Sequence, residues 1–151
     1  MNLTVEVARK PGTEDLPLPA YQSEHASGMD LLAAVEELVT IEPGARAIVP
    51  TGLFVAVPPG YEAQVRARSG LAIKKGICVL NGPGTVDADY RGEVGVILGN
   101  LGEAPFVVER GMRVAQMVIC PVVKVDLRQV EKLSETERGA GGFGSSGVKG
   151  G

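Results

Sequence analysis

A chain of 151 residues with 44% hydrophobic content can bury one ordinary core and is too short for two independent ones, so a single domain is expected. The formal charge of −3 gives no general attraction to nucleic acid or to an acidic membrane, and neither is expected as a partner. Aromatics are 4% and Trp is absent, which leaves Val, Leu, Ile and Ala to fill the core, an inventory that leans towards sheet.

Leu3, Val5 and Val7 alternate with Thr4, Glu6 and Ala8, predicting a half-buried first strand that ends at Lys10-Pro-Gly12. The same alternation differs from the apolar block of a signal peptide, and no run reaches transmembrane length, so a cytoplasmic location is expected. A loop with Pro17 and Pro19 leads to Ala26-Ser-Gly-Met-Asp-Leu-Leu-Ala-Ala34, where Asp30 stands just after a glycine and just before an apolar run. Beyond it, Leu31 to Leu38 fits a helix and Val35 to Ile41 fits a strand; the pattern does not choose. Ala45 to Pro50 and Leu53 to Val57 predict two short apolar segments, broken by Thr51-Gly52 and stopped at Pro58-Pro-Gly60.

Tyr61, Ala63, Val65 and Ala67 alternate with Glu62, Gln64, Arg66 and Arg68, the clearest period-two pattern in the chain. Arg68 to Gly76 then predicts a helix of two turns at most, with Ser69 as N-cap and Gly76 as the left-handed C-terminal residue. Ile77 to Leu80, Val94 to Leu98 and Phe106 to Val108 are short apolar runs bounded by turn residues. A last strand follows the Arg110-Gly111 turn to Pro121 and is continued by Val122, Val123 and Val125. Cys78 and Cys120 lie within apolar runs, where a buried, inert thiol is the common outcome.

About ten short strands and one short helix define an all-β class, a sandwich or barrel with the jelly roll among the leading architectures. From Gly139 there are seven glycines in thirteen residues, too little apolar surface to order itself, so a mobile arm (138–151) is expected after the β domain (1–137).

Chemistry concentrates in Asn81-Gly-Pro-Gly-Thr-Val-Asp-Ala-Asp-Tyr-Arg-Gly-Glu93. Asp87 either orients and deprotonates a water or holds its own turn. Tyr90 offers a flat face for a sugar or packs at a strand edge. Asn81 both donates and accepts, which suits a pyrimidine edge and equally suits a turn. Arg68-Ser69-Gly70 joins a cation to a helix start, an arrangement that holds phosphate or simply caps a helix. Gln116 interrupts an apolar run, pointing outward or presenting an amide to a phosphate. Asp30 is a carboxylate suited to a hydrated Mg²⁺, which needs few protein ligands. His25 is the only histidine, so no zinc site and no serine or cysteine triad can be assembled. Arg138 and Phe143 give the arm a cation and a ring that could close over a nucleotide.

Five segments in this order resemble the five motifs of the trimeric dUTPase family: Ala26-Ser-Gly-Met-Asp-Leu31, Ala67-Arg-Ser-Gly-Leu-Ala72, Asn81 through Arg91-Gly92, Gly111-Met-Arg-Val-Ala-Gln-Met117, and Arg138-Gly-Ala-Gly-Gly-Phe-Gly-Ser-Ser-Gly147. Ser27 stands where that family more often has Ala, and Leu32 where a basic residue is common. The resemblance implies a β jelly roll, a homotrimer with active sites at subunit interfaces, and Mg²⁺-dependent hydrolysis of dUTP to dUMP and pyrophosphate. It implies that Asp87 positions the attacking water, that Tyr90 packs under the deoxyribose and that Asn81 reads uracil. Phosphates would fall to Arg68, Ser69, Gly70 and Gln116, a metal-bound water to Asp30, and closure to Arg138, Phe143, Ser145 and Ser146. The dCTP deaminase family shares that fold, but the segment Asp87 to Tyr90 and the arm with Phe143 match the hydrolase better. A catalytically silent nucleotide-binding jelly roll would keep the pocket, and Asp87 argues against it.

Overall fold

Ala63 and Val65 are buried while Glu62, Gln64 and Arg66 reach solvent, so the period-two segment is a strand with one dry face. The computed structural model, which describes residues 3–150, contains ten strands. They are β1 (Glu6–Arg9), β2 (Met29–Leu32), β3 (Val39–Ile41), β4 (Arg46–Ala56), β5 (Tyr61–Arg66), β6 (Ile77–Val79), β7 (Gly84–Val86), β8 (Glu93–Asn100), β9 (Phe106–Val108) and β10 (Arg113–Pro121). A helix, α1 (Ser69–Lys75), lies between β5 and β6. One sheet has the order β1-β4-β8-β6, a second β2-β10-β5-β7, and β3 pairs with β9; all pairs are antiparallel. Val49, Val94, Val96 and Leu98 from the first sheet share one core with Leu31, Val65, Ala115 and Met117 from the second. The result is the all-β jelly-roll sandwich with one short helix.

Several boundaries differ from the sequence expectations, each for a local reason. Thr51-Gly52 does not break the chain: β4 runs through it as a bulge, with the register shifting between Pro50 and Phe54. Side chains satisfy the displaced backbone, Thr51 Oγ1 donating to Val94 O at 2.5 Å and Glu93 Oε1 accepting from Gly52 N at 2.9 Å. Leu31 to Leu38 forms no helix, because Ala33 N and Ala34 N donate to Met112 O and Pro50 O on neighbouring segments. The first strand starts only at Glu6, where its partner β4 ends at Ala56. The last strand stops at Pro121, opposite Tyr61, where β5 runs out; Val123 and Val125 beyond it are exposed. Cys78 and Cys120 are half-buried and unpaired, not fully buried, since both alternate onto outer strand faces.

In α1, Arg68 occupies the N-cap position with extended backbone, and Ser69 is the first helical residue, making no capping bond. The far end is as expected: Gly76 is left-handed (φ 68°), its N–H reaching Ala72 O and Leu71 O. It also packs on the next loop so tightly that a Cβ would lie 2.6 Å from Gly102 N. That loop is pinned by Asn100, 1% exposed, whose Nδ2 donates to Ile41 O and Ala104 O and whose Oδ1 accepts from Gly102 N. Among the described residues no helix is long and apolar enough to cross a membrane.

Candidate active site

Strand register brings three distant segments to one end of the second sheet. Asp30 on β2 sits opposite Gln116 on β10, which in turn sits opposite Arg66 on β5, two residues before Arg68 and the start of α1. Asp30, Gln116 and Arg68 line an open cleft of ≈ 520 Å³ together with Ser69 and Gly70. Gln116 lies across this end of the sheet, its Nε2 donating to Ala67 O at 3.0 Å. Gly28 makes room for it, because a Cβ there would meet Gln116 Oε1 at 2.6 Å.

The cleft is cationic. The first turn of α1 has neither an acidic residue nor a side-chain cap, so its free N–H groups add to the charge of Arg68. Lys74 and Lys75 from the last turn line the same space. The one carboxylate, Asp30, lies between two guanidiniums: Arg68 Nε at 3.1 Å from Oδ1 and Arg113 Nε at 3.6 Å from Oδ2. No group of three or more His, Cys, Asp or Glu side chains able to hold a metal occurs among the described residues. A single carboxylate fits a magnesium ion that arrives on phosphates with its own waters, and does not fit a protein-built metal cage.

The 81–93 segment folds elsewhere. Asn81 is exposed in the turn closed by Gly82 N to Val79 O, with its amide over the buried Gly84. From Gly84, β7 runs antiparallel to β5 and carries Asp87 towards the Tyr61 end, away from the end that leads to Arg68. At about 3.3 Å per residue, Asp87 and Arg68 lie on the order of 15–20 Å apart. Asp87 lines a second cleft, of ≈ 570 Å³, with Glu62, Asp89, Arg91 and Lys124. Its backbone carbonyl, not its carboxylate, closes the local turn by accepting from Tyr90 N at 3.1 Å. The exposed carboxylate accepts no hydrogen bond from the described residues, and so is not spent on holding its turn. Tyr90, also exposed, donates from its hydroxyl to Glu93 O at 3.0 Å and lies against Gly92. Arg91 braces the loop by donating to Ala88 O and Tyr90 O.

The arm reaches neither cleft. Arg138 Nε donates to Gly141 O, and Phe143, left-handed at φ 49°, is wholly exposed. Ser145 and Ser146 are exposed in the tight turn that follows, where Ser145 N donates to Gly142 O. One chain therefore gathers Asp30, Arg68, Ser69, Gly70 and Gln116, and leaves Asn81, Asp87, Tyr90, Arg138, Phe143, Ser145 and Ser146 outside that cleft.

Sequence reasoning did not assign a role to Arg113, Lys74 or Lys75. The lysines were visible as a basic pair closing a two-turn helix; Arg113 had no signal of its own apart from lying three residues before Gln116. Arg110 nearby does a different job: it fixes the 10–20 loop, with Nε and Nη2 on Asp15 at 3.0 and 2.6 Å and Nη2 on Gly12 O at 2.8 Å. The hydrogen bonds from Arg110 hold the Asp15 carboxyl below its ordinary range.

A family model described as dUTPase matches residues 14–147. The deoxyuridine 5'-triphosphate nucleotidohydrolase of Rhizobium johnstonii is 58% identical over 147 residues, covering 96% of this chain and 94% of that protein. The protein of the same name from Methylocella silvestris is 56% identical over 148 residues, covering 97% and 92%. Among solved structures, the Staphylococcus bacteriophage 80alpha dUTPase, a G164S mutant with dUpNHpp, matches with a TM-score of 0.85 at 28% identity, covering 96% of this chain and 99% of that one. The chain belongs to the dUTPase family.

Proposed function

We propose that this enzyme hydrolyses dUTP to dUMP and pyrophosphate in the cytoplasm, limiting uracil in DNA and supplying dUMP. The observation that carries the reading is the convergence of Asp30, Arg68, Ser69, Gly70 and Gln116 on one cationic cleft. Arg68, the free N–H groups at Ser69 and Gly70, and the carboxamide of Gln116 bind the phosphates and fix the α-phosphorus for in-line attack. Asp87 has an unoccupied carboxylate; it orients the water, takes its proton and meets the sugar 3′-hydroxyl. As the new P–O bond forms, the bond to the bridging oxygen breaks and pyrophosphate leaves. Tyr90 packs under the deoxyribose and leaves no room for a ribose hydroxyl, while Asn81 reads the uracil edge. Mg²⁺ bound to the triphosphate would supply charge neutralisation, and Asp30 is the residue that would hold it, through a water.

The enzyme works as a homotrimer with shared sites. Supporting this, one chain holds Asp87 and the phosphate cleft apart and docks its arm in neither. The outer face of the first sheet also carries Ile48 and Leu80, 69% and 54% exposed, where an antiparallel sheet facing water would be polar. The arm of another copy, with Arg138, Phe143, Ser145 and Ser146, closes over the nucleotide.

Pyrophosphate release from dUTP, dTTP, dCTP and UTP, measured side by side with Mg²⁺, tests the function. Selective turnover of dUTP is expected. Ammonia from dCTP without pyrophosphate from dUTP, or binding of dUTP without turnover, would overturn it.

A further inference from the structure

Asp30 is the only carboxylate lining the phosphate cleft among the described residues, and both of its oxygens already face cations. Arg68 is held twice, by Asp30 and through Nη1 to Arg113 O at 3.3 Å. Arg113 Nη1 and Nη2 have no partner among the described residues, and its side chain is 52% exposed beside Asp30 at 20%. Arg68, Lys74 and Lys75 line this space with Asp30, three cations to one carboxylate, and Arg113 flanks Asp30 from the adjoining cleft.

We infer that Asp30 is an exchangeable counter-ion, and that Arg113 is a further phosphate-binding residue which Asp30 keeps beside Arg68 until a metal-bound polyphosphate arrives. The inference rests on the reading of this cleft as a phosphate site. A metal-free polyphosphate must approach the two guanidiniums past a carboxylate of like charge, which opposes it at these distances. A polyphosphate that carries a hydrated divalent cation offers Asp30 a new partner in the cation's water. The carboxylate then turns from the arginines to that water, and both guanidinium forks are free to take phosphate oxygens in pairs. Metal and phosphate binding are coupled through one side chain, with no movement of backbone.

Calorimetric titration of the intact protein with inorganic pyrophosphate, with and without Mg²⁺, tests this without reference to turnover. For the unaltered protein, Mg²⁺ should tighten binding by roughly tenfold or more. In Asp30→Asn, metal-free pyrophosphate should bind roughly fivefold more tightly than to the unaltered protein, and the gain from Mg²⁺ should shrink to less than about threefold. Adding Arg113→Gln to that variant should remove the metal-free gain. If Asp30→Asn loses only the Mg²⁺-dependent part, Asp30 serves the metal alone and the exchange is refuted. If both affinities fall, Asp30 is a scaffold and the exchange is again refuted; a gain that survives Arg113→Gln removes Arg113 from it. Asp30→Ser, smaller and uncharged, repeats the test should the amide disturb folding. Turnover of dUTP by the unaltered protein reports separately on the reading underneath.

Discussion

Asn100 shows how much a single buried amide can hold. Its three hydrogen bonds join the end of β3, the 101–104 turn and β8 from a site with almost no exposure. Asn100→Leu would strand two carbonyls and an N–H, and should cost about 3 kcal/mol or more, read as a lowered urea midpoint at fixed protein concentration. Asp87 is the opposite case, an exposed carboxylate with no structural task. Asp87→Asn should therefore lower kcat by about 10²- to 10⁴-fold while a non-hydrolysable dUTP analogue binds within about threefold. Loss of analogue binding with the fold intact would give Asp87 a binding role instead. Asp15 predicts a pH effect. Its carboxyl is held below the ordinary value of 3.8, so the pair with Arg110 supports the fold above that value and the support fades as pH falls through the lowered one. The gap in Tm between the unaltered protein and Asp15→Asn should be widest above about pH 5 and narrow progressively as pH falls below 3.8. Because the pair is exposed the gap is small, and a gap that did not change with pH would remove the carboxylate from the effect.

Helix α1 depends on its C-terminal glycine more than on burial, since none of its residues is fully buried and Ile73 is 84% exposed. Gly76→Ala asks a Cβ to enter a left-handed position and the backbone of Gly102 at once. It should lower Tm clearly and, by shifting α1, raise KM for dUTP more than it lowers kcat; an unchanged Tm would contradict the close packing. This glycine was legible in the sequence because a helix end imposes its own local geometry. The other end was not, since Ser69 has the composition of an N-cap but Arg68 takes that place to reach Asp30. Thr51-Gly52 reads as a break for the same kind of reason: a bulge and a turn use the same residues, and only the distant Glu93 and Val94 decide between them. Val122 to Val125 has the apolar content of a strand, but strand length is set by the partner, and β5 ends first.

At the scale of the molecule, the motif segments were legible because glycines and charged residues mark them in order. Their meeting was not, because register alone decides that Asp30, Gln116 and Arg68 share one end of a sheet while Asp87 goes to the other. Removing residues 139–151 should abolish most dUTP turnover and leave assembly, seen by light scattering, unchanged; a fully active truncation would refute closure by the arm. The distance between Asp87 and the phosphate cleft has a consequence at the level of mixed populations. A chain disabled at Asp87 still carries a sound phosphate cleft, and a chain disabled at Arg68 still carries a sound Asp87 loop. If sites are shared between chains as proposed, two such inactive proteins unfolded together and refolded should rescue one another, each lending the half that the other lacks. A cell that carries both defective versions would retain activity that neither confers alone.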